Sequence, residues 1–494
     1  MSGTTQPEHR EIIKLMRSGA WAEALQRIDS VLARQPLEPR YLIYRAQCLM
    51  ALRRRTDAFA AAAAAEVRAP ADAFIRDAAG TLFSYGNEHA RALASYDAAL
   101  AQDADNAQYR YNRATVRRFL GDLEGAEQDY DRVIAARPVD YEAYKNRSEL
   151  RTQTTQGNHI AELQALLARP IADWRGEVQV RYALAKEYED VGAYPESFDM
   201  LSQAAGRQRQ HMRYDVATDV ATVQWIMDAY PRVPPAPAGA REGAPAIEDA
   251  PVFVLGLPRS GTTLVERILT SHSALTAAGE LDCLALAIVA AVRRHTGRDR
   301  LPRQELVTHS AGVEFAALGH DYMQRARREV GVGRFVDKMP LNYLYCGIIR
   351  RALPHAKIVH VTRHPMAVCF AMYKALFKDA YPFSYDLSDI ARYYIGYRRL
   401  MDHWLATLPG AIHSVSYEAL VADQLGETRK LLAFCGLEWE EACARFHENP
   451  AASTTASAAQ VRRPMYSSAL THWQRYETQL AGLRAQLMAA GIAL

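Results

Sequence analysis

The spacing of small and apolar residues differs between the two halves of the chain. In the first half a small residue returns every 34 positions, at Ala24, Ala58, Ala92 and Ala126. Other small residues stand twelve positions before the last three of these, and a proline or alanine stands twelve positions after all four: Ala46, Gly80, Ala114, Pro36, Pro70, Ala104 and Pro138. This pattern predicts pairs of helices that cross closely at the small positions, with the proline ending the second helix of a pair.

The repeat becomes irregular towards the middle of the chain. Ala185 and Ser197 keep the spacing of twelve, but the 34-residue phase slips between Gln156 and Pro170. We expect an irregular or inserted helix in that interval. Stacked helix pairs of this kind form an all-α superhelix with a concave face, which typically holds a peptide or a partner protein.

The second half shows the pattern of an α/β domain. Val252–Gly256 is a continuous apolar run of strand type, and after a glycine turn Leu264, Ile268 and Leu269 share one helical face. Further strands are expected at 334–338, 357–363 and 411–418, and further helices at 342–353 and from Pro365 onwards. Alternating strands and helices predict a parallel sheet. Ligands on such sheets bind at the carboxyl ends of the strands, where the turns after Gly256, Lys338 and Arg363 would meet.

These patterns divide the 494 residues into three parts. Residues 1–228 are expected to form the helical repeat domain, and residues 251–494 the P-loop-like α/β domain. The stretch between them, residues 229–250, is rich in proline and alanine, has no helical or strand period, and is interpreted as a linker.

The composition limits the classes of binding partner and the cellular compartment that are expected for this protein. The net charge of +3 gives no reason to expect nucleic acid or a membrane as a partner, and no run of about 18 apolar residues predicts a membrane span. The N-terminus lacks the pattern of a secretory signal. The six cysteines are scattered without a CxxC pair, which favours reduced thiols in a cytoplasmic protein over disulfides or a metal site: Cys48, Cys283, Cys346, Cys369, Cys435 and Cys443.

The turn after the first strand has the frame of a phosphate-binding loop with one informative change. Gly256 to Gly261 keeps the GxxxxG spacing, but Thr262 stands where a P-loop carries lysine. Backbone N–H groups and a helix N-terminus can still bind one phosphate there. The loop is poorly suited to a triphosphate with magnesium, so a nucleotide with a single 5′ phosphate is expected.

Two motifs carry a family resemblance. PRSGTTL at 258–264 resembles the 5′-phosphosulfate loop of sulfotransferases, and VTRHPMAVCFA at 361–371 resembles their second signature, which binds the 3′ phosphate. Arg259 and the Gly279–Glu280 pair are similar to the tyrosylprotein sulfotransferases. The 34-residue unit resembles the tetratricopeptide repeat. Together these features resemble a tetratricopeptide-repeat-containing sulfotransferase family.

The resemblance implies a donor, 3′-phosphoadenosine 5′-phosphosulfate, and adenosine 3′,5′-bisphosphate as product, without a metal. It implies that Glu280 is the general base, that Arg259 faces the sulfuryl group and that Lys338 stabilises the leaving phosphate. Residues implied to bind the nucleotide are Pro258, Arg259, Ser260, Gly261, Thr262, Thr263 and Arg363, with Arg462 and Arg463 as candidates from a late basic segment. Sulfuryl transfer asks mainly for in-line positioning and charge stabilisation, which these residue types supply.

One position departs from the family pattern. A serine commonly stands eight residues after the 3′-phosphate arginine, where this chain has Ala371. The loss of a hydrogen bond to a charged group costs about 1.5–3 kcal/mol. The donor is therefore expected to bind weakly, or to be held by another group such as Arg462 or Arg463.

Several alternatives stay open at this stage. His272, His360 and His364 are rivals for the general base, because small-molecule sulfotransferases use histidine, although His360 reads as a core residue within a strand. An aromatic cluster could line an acceptor pocket or simply pack: Tyr373, Phe377, Tyr381, Phe383 and Tyr385. A nucleoside-triphosphate kinase would require the lysine that Thr262 replaces. A repeat scaffold with a degenerate nucleotide-binding domain is the non-enzymatic alternative.

The expected partners follow from the two halves. The second half would bind the sulfate-donor nucleotide and transfer its sulfuryl group to a hydroxyl. The repeats would bind a protein or peptide, whose tyrosine is one candidate acceptor, or they would mediate a homodimer.

Overall fold

The computed structural model describes residues 6–36, 38–232, 249–449, 465 and 468–494. The chain divides after Pro170 into two compact units. Among the described residues no helix combines the length and the apolar character needed to cross a bilayer.

The first unit is built of helices in the predicted register. Its second helices begin at Trp21, Arg55, His89 and Leu123, each 34 residues after the last. The repeat alanines at these helices are fully buried, and a Cβ on Gly80 would lie 2.9 Å from the ring of Tyr96. Small residues are therefore needed where the helices cross, and the predicted repeat architecture is confirmed.

The helices of this unit have the following bounds: α1 (Gln6–Arg17), α2 (Trp21–Arg34), α3 (Pro39–Ala51), α4 (Arg55–Arg68), α5 (Ala73–Tyr85), α6 (His89–Gln102), α7 (Ala107–Leu120), α8 (Leu123–Ala136), α9 (Tyr141–Ser148) and α10 (Ile160–Leu167). The short helix α10 lies in the interval where the sequence pattern slips.

The second unit begins with the last helical pair and contains the sheet. In the pair α11 (Trp174–Asp190) and α12 (Tyr194–Gln210), the Ser197 hydroxyl donates to the Ala185 carbonyl at 2.6 Å. Helix α13 (Val216–Ala229) packs against the long helix Leu387–Thr407, which lies between the last two strands of the sheet. The sequence pattern groups these helices with the repeats and predicts a linker at 229–250. Residues 233–248 of that predicted linker lie outside the described residues.

The sheet has five parallel strands in the order β2-β3-β1-β4-β5. The strands are β1 (Val252–Gly256), β2 (Thr276–Gly279), β3 (Phe335–Asp337), β4 (Lys357–Thr362) and β5 (Ile412–Ser416). The predicted parallel sheet is thus confirmed, with β1 in its centre and all five residues of β1 buried. The strand that the sequence pattern missed is β2, which is short and only partly buried.

The helices of the second unit after β1 cover both faces of the sheet and end the chain. They are α14 (Thr262–Leu269), α15 (Cys283–Thr296), α16 (Arg303–Ser310), α17 (Phe315–Val330), α18 (Cys346–Ala352), α19 (Pro365–Tyr373), α20 (Leu387–Thr407), α21 (Tyr417–Ala422), α22 (Gln424–Cys435), α23 (Glu441–Ala444), α24 (Ser468–Thr471) and α25 (Ala481–Ala489). The helix predicted at 342–353 begins as a 3₁₀ turn, Pro340–Tyr345, before α18.

Candidate active site

The carboxyl ends of the five strands bring the candidate residues to one edge of the sheet. A side chain with charge or a ring follows each strand: Arg259 after β1, Glu280 after β2, Lys338 after β3, Arg363 after β4 and Tyr417 after β5. Because all strands are parallel, these residues share the edge at which α/β proteins bind ligands. The topology therefore gathers residues that are up to 158 positions apart in the sequence.

The loop after β1 has a backbone that only its glycines allow. Gly256 and Gly261 have φ values of 147° and 109°. A Cβ on Gly256 would lie 2.5 Å from the Val361 carbonyl oxygen, and one on Gly261 would lie 2.8 Å from the ring of Tyr417. Arg259 also adopts a positive φ, 68°, which L side chains rarely take. The loop is thus held in a tight curve at the N-terminus of α14.

The predicted nucleotide-binding residues lie together in this curve. Thr262 and Thr263 are buried in the first turn of α14, and the Ser260 side chain is buried beside them. Within the part of the chain that the structure describes, the Ser260 hydroxyl is buried and has no hydrogen-bond partner. A buried, unsatisfied hydroxyl at a helix N-terminus suits a phosphate or sulfate oxygen.

Replacement of Gly261 by alanine is expected to weaken nucleotide binding about tenfold or more. The new methyl group would collide with Tyr417 and displace the loop, since a small misplacement in a site has large effects. Gly410→Ala is the matched control, because Gly410 also has a positive φ, 73°, but no atom within 4 Å of a Cβ. Both variants should lose about 1–2 kcal/mol of stability. Calorimetric titration with adenosine 3′,5′-bisphosphate checks this, and equal affinities of the two variants would contradict it.

Arg363 is tied to the phosphate loop. Its Nη1 donates to the Arg259 carbonyl oxygen at 3.0 Å, and its guanidinium lies 4.8 Å from the centroid of the Tyr417 ring. The next residue, His364, donates its backbone N–H to Glu418 at 2.9 Å. The second predicted motif therefore stands directly beside the first.

Lys338 and Glu280 form a close ion pair at the carboxyl edge of the sheet. The Lys338 side chain is only 1% exposed, and its Nζ donates to Glu280 Oε1 at 2.5 Å. A second carboxylate oxygen, Glu266 Oε2 on α14, lies 4.0 Å from the same Nζ. Glu280 is 43% exposed, so one face of its carboxylate is open to a bound molecule. The structure thus places the predicted base and the predicted cation together.

A third carboxylate, Asp337, lies buried behind this pair. Tyr322 donates its hydroxyl to Asp337 Oδ2 at 2.9 Å. Burial raises the pKa of Asp337 to about 7, although the Tyr322 hydrogen bond opposes the shift. Burial also raises the pKa of Glu266 above its ordinary value. Neither residue is among those predicted from the sequence: Asp337 directly precedes Lys338 but was given no role, and only the fold brings Glu266 to Lys338.

Asp337 is expected to make the stability of the protein fall as the pH rises from about 4 to about 7. Its pKa is 3.8 in the unfolded chain and about 7 in the folded protein, so in this window the folded state holds a proton that the unfolded state has lost. Asp337→Asn removes this titration and should flatten the decline by up to about 4 kcal/mol. Urea unfolding at pH 4.5 and 7.5 compares the two proteins. A variant with the slope of the wild type would refute the assignment.

The hydrogen bonds of the histidines decide between the rival bases. His272 Nδ1 accepts the backbone N–H of Ala274 at 3.1 Å, and its Nε2 lies 3.0 Å from the Glu438 carbonyl oxygen. The Nδ1 lone pair is therefore already engaged, and Glu440 Oε1 also lies 3.4 Å from this nitrogen. His360 is buried inside β4 with Nε2 2.5 Å from the Tyr397 hydroxyl, and burial lowers its pKa to about 3. Neither ring is free to serve as a base.

His364, the third rival base, and the aromatic cluster predicted from the sequence lie in different parts of the second unit. His364 stacks on Trp473 with ring centroids 5.1 Å apart. In the cluster, Phe383 stacks on Tyr393 at 3.6 Å, which is a packing contact. Tyr381 is close enough to Glu280 for the carboxylate charge, after burial, to help raise the pKa of its hydroxyl. Tyr381 is therefore a member of the cluster that lies near enough to Glu280 to be affected by its charge.

Two further sequence predictions concern the 3′-phosphate end. Ala371 lies within α19, which follows Arg363, and its methyl group offers no hydrogen bond there. Arg462 and Arg463 lie outside the described residues. Across the described ranges, no group of three or more His, Cys, Asp or Glu side chains is arranged to hold a metal ion.

The fold and the site define a class: helical repeats joined to a parallel α/β domain with a phosphate loop at its carboxyl edge. Comparison with known proteins gives the family. Residues 251–441 match the sulfotransferase family, and residues 10–73 and 78–141 match the tetratricopeptide repeat. The chain therefore combines tetratricopeptide repeats with a sulfotransferase-family domain, as the motifs predict.

The individual proteins that this chain resembles share less than 30% of their aligned residues with it. An uncharacterised protein of Aquifex aeolicus is 29% identical over 368 residues, which cover 73% of this chain and 47% of that protein. The chain thus spans about half the length of this relative. A Caenorhabditis briggsae protein named "Putative protein-tyrosine sulfotransferase" is 26% identical over 232 residues, covering 45% of this chain and 80% of that protein. The crystal structure of sulfotransferase STF1 from Mycobacterium tuberculosis is similar with a TM-score of 0.27 and 15% identity, over 69% of this chain and 98% of that one.

Proposed function

We propose that this protein transfers a sulfuryl group from 3′-phosphoadenosine 5′-phosphosulfate to a hydroxyl group. The observation that carries the proposal is the contact between Lys338 and Glu280 at 2.5 Å, at the same sheet edge as a phosphate loop without a P-loop lysine. A cation and a half-exposed carboxylate at this position supply charge stabilisation and proton removal, both of which assist sulfuryl transfer to a hydroxyl group.

The residues of the loop suit the donor. The unsatisfied Ser260 hydroxyl, the buried Thr262 and Thr263, and the N-terminus of α14 would hold the 5′ phosphosulfate. Arg363, which is attached to the loop through the Arg259 carbonyl, would hold the 3′ phosphate. The donor, when bound, supplies a sulfuryl group on a phosphate that leaves readily. Thr262 in place of lysine argues against a nucleoside triphosphate.

The roles of the charged residues follow from their environments. Glu280 is exposed enough to accept the proton of an acceptor hydroxyl, while Lys338 is buried and fixed. As the acceptor oxygen bonds to sulfur, the bond from sulfur to the bridging oxygen breaks. Lys338 and Arg259 are the cations available to stabilise the negative charge that the leaving phosphate gains.

The acceptor and the setting belong to the same proposal. We propose a tyrosine of a protein or peptide bound by the repeats as the acceptor, supported by Tyr381 as an aromatic neighbour of Glu280. The cytoplasm is the proposed compartment, because all six cysteines are free thiols and buried. Self-association through the repeats as a homodimer is the alternative use of that domain.

A scaffold with a degenerate nucleotide-binding domain is the second candidate function. Ala371 favours it, because α19 lacks one hydrogen bond to a 3′ phosphate. Under this alternative the protein would bind its partner through the repeats without turning over the donor.

Incubation of the purified protein with the ³⁵S-labelled donor and a cell lysate tests the enzymatic proposal. We expect label in a discrete acceptor and release of one adenosine 3′,5′-bisphosphate for each sulfate transferred. Mass spectrometry of the labelled species then shows whether the acceptor is tyrosine. Absence of transfer above a heat-inactivated control would leave the scaffold as the better account.

A further inference from the structure

Glu266 connects three parts of the candidate site. It lies on α14, the helix that begins at the phosphate loop, and its Oε2 is 4.0 Å from Nζ of Lys338, which follows the neighbouring strand β3. The backbone N–H of Gly279 lies near the same carboxylate and opposes the rise of its pKa. Gly279 is the last residue of β2 and directly precedes Glu280. One side chain thus contacts the lysine and the strand end that carries the proposed base.

We propose that Glu266 is a positioning residue that fixes Lys338 and Glu280 relative to the phosphate loop. This inference rests on the proposed sulfuryl transfer and adds to it a residue that belongs to neither sequence motif. The negative charge of Glu266 holds the lysine ammonium from one side while Glu280 holds it from the other. Its carboxylate also lies near the backbone N–H of Gly279, the residue before Glu280.

The charges around Glu266 indicate how its carboxylate would contribute to the reaction. The charged residues around Glu266 are Glu280 directly after β2, Asp337 at the end of β3, Lys338 directly after β3, and Arg267 from its own helix. When Glu280 releases Lys338 to take a proton from the acceptor, the ammonium still has Glu266 as a partner. The buried lysine is therefore not left without a counter-charge during the reaction, which would be costly for a group that is 1% exposed.

Glu266→Gln separates this role from a purely structural one. Glutamine keeps the size and an oxygen that can accept the Gly279 N–H, but it removes the charge. We expect kcat to fall about 10- to 100-fold, since misplaced catalytic groups react poorly, while the donor KM and the affinity for adenosine 3′,5′-bisphosphate stay within about threefold. Glu266→Asp keeps the charge and should retain more kcat than the glutamine variant, which also covers a glutamine variant that folds poorly.

Glu427→Gln is the matched control, because Glu427 also pairs with a lysine, Lys430 at 2.6 Å, on a helix away from the sheet edge. A Glu266→Gln variant that retains at least half of the wild-type kcat would overturn the inference. A parallel loss of nucleotide affinity, kcat and melting temperature would overturn it as well, because that pattern marks a folding defect. If the wild type shows no transfer, the proposed function itself fails. If both the wild type and the Glu266→Gln variant are active, only the proposed role of Glu266 is refuted.

Discussion

Glu280→Gln is expected to lower kcat by about 10²–10⁴-fold, the contribution typical of a general base. Glutamine keeps the shape of the side chain and can still accept a hydrogen bond from Lys338, but it cannot take the proton of the acceptor hydroxyl. Glu280 is 43% exposed and lies outside the phosphate loop, so the affinity for adenosine 3′,5′-bisphosphate should change by less than about threefold. Turnover of the labelled donor with the acceptor found in the lysate experiment, and calorimetric titration, measure the two quantities.

The control for this variant is again Glu427→Gln, which should retain the wild-type kcat. A Glu280→Gln protein with undiminished turnover would contradict the assignment of the base. Neither His272 nor His360 could then take its place, because both rings are engaged in hydrogen bonds within the fold. Asp337 would be the next carboxylate to test, although it is fully buried.

Lys338→Met is expected to lower kcat by about 10²–10³-fold, the loss seen when one group that stabilises transition-state charge is removed. Methionine has a similar length and is apolar, so it suits the buried position. The loss in free energy of unfolding caused by Lys338→Met should depend on pH, because Glu266, Glu280 and Asp337 lose the cation that they share. Carboxylates without a counter-ion bind protons more readily, so the variant should be destabilised more at pH 8 than at pH 5.

Lys430→Met serves as the control for the lysine variant, since Lys430 is an exposed lysine paired with a glutamate in the same unit. Kinetics and thermal unfolding at the two pH values measure both effects. Retained kcat would show that Lys338 is a structural cation of the sheet edge. A destabilisation that does not vary with pH would show that the three carboxylates do not share its charge.

The elements with strong repeating signals could be predicted from the sequence. The second helices of the repeat pairs follow the 34-residue step because close crossings at Ala24, Ala58, Ala92 and Ala126 tolerate only small side chains. Strands β1, β3, β4 and β5 were predicted from the sequence pattern. Strand β2 carries the sequence TAAG and is partly exposed, so its pairing with β3, and not its own composition, makes it a strand.

The candidate site could be predicted only as far as its motifs reach. Arg259 and Arg363 belong to the two signatures, and the structure ties them together through one hydrogen bond. Glu266 carries no local signal, because its proximity to Lys338 depends on the strand order of the sheet. Asp337 directly precedes Lys338, but its burial against Tyr322 cannot be recognised from the sequence. The order of the strands, unlike their positions, follows from long-range packing that the pattern of one chain does not contain.

The histidines show the same limit at the level of one side chain. Sequence alone left His272 as a rival base because it follows the loop helix. Its exclusion required two contacts, with Ala274 and Glu438, that a residue list cannot reveal. His360 was expected to be a core residue, and its burial within β4 agrees with that prediction.

Calorimetric titration of the full chain with adenosine 3′,5′-bisphosphate tests the central claim most directly, because it requires no knowledge of the acceptor. The account predicts saturable binding at one site per chain, with micromolar to submillimolar affinity that Gly261→Ala weakens and Gly410→Ala leaves intact. ATP with magnesium should bind more weakly, since Thr262 replaces the lysine that a triphosphate needs. No binding of the bisphosphate at millimolar concentration, or a preference for ATP with magnesium, would contradict the assignment of this sheet edge as the sulfate-donor site.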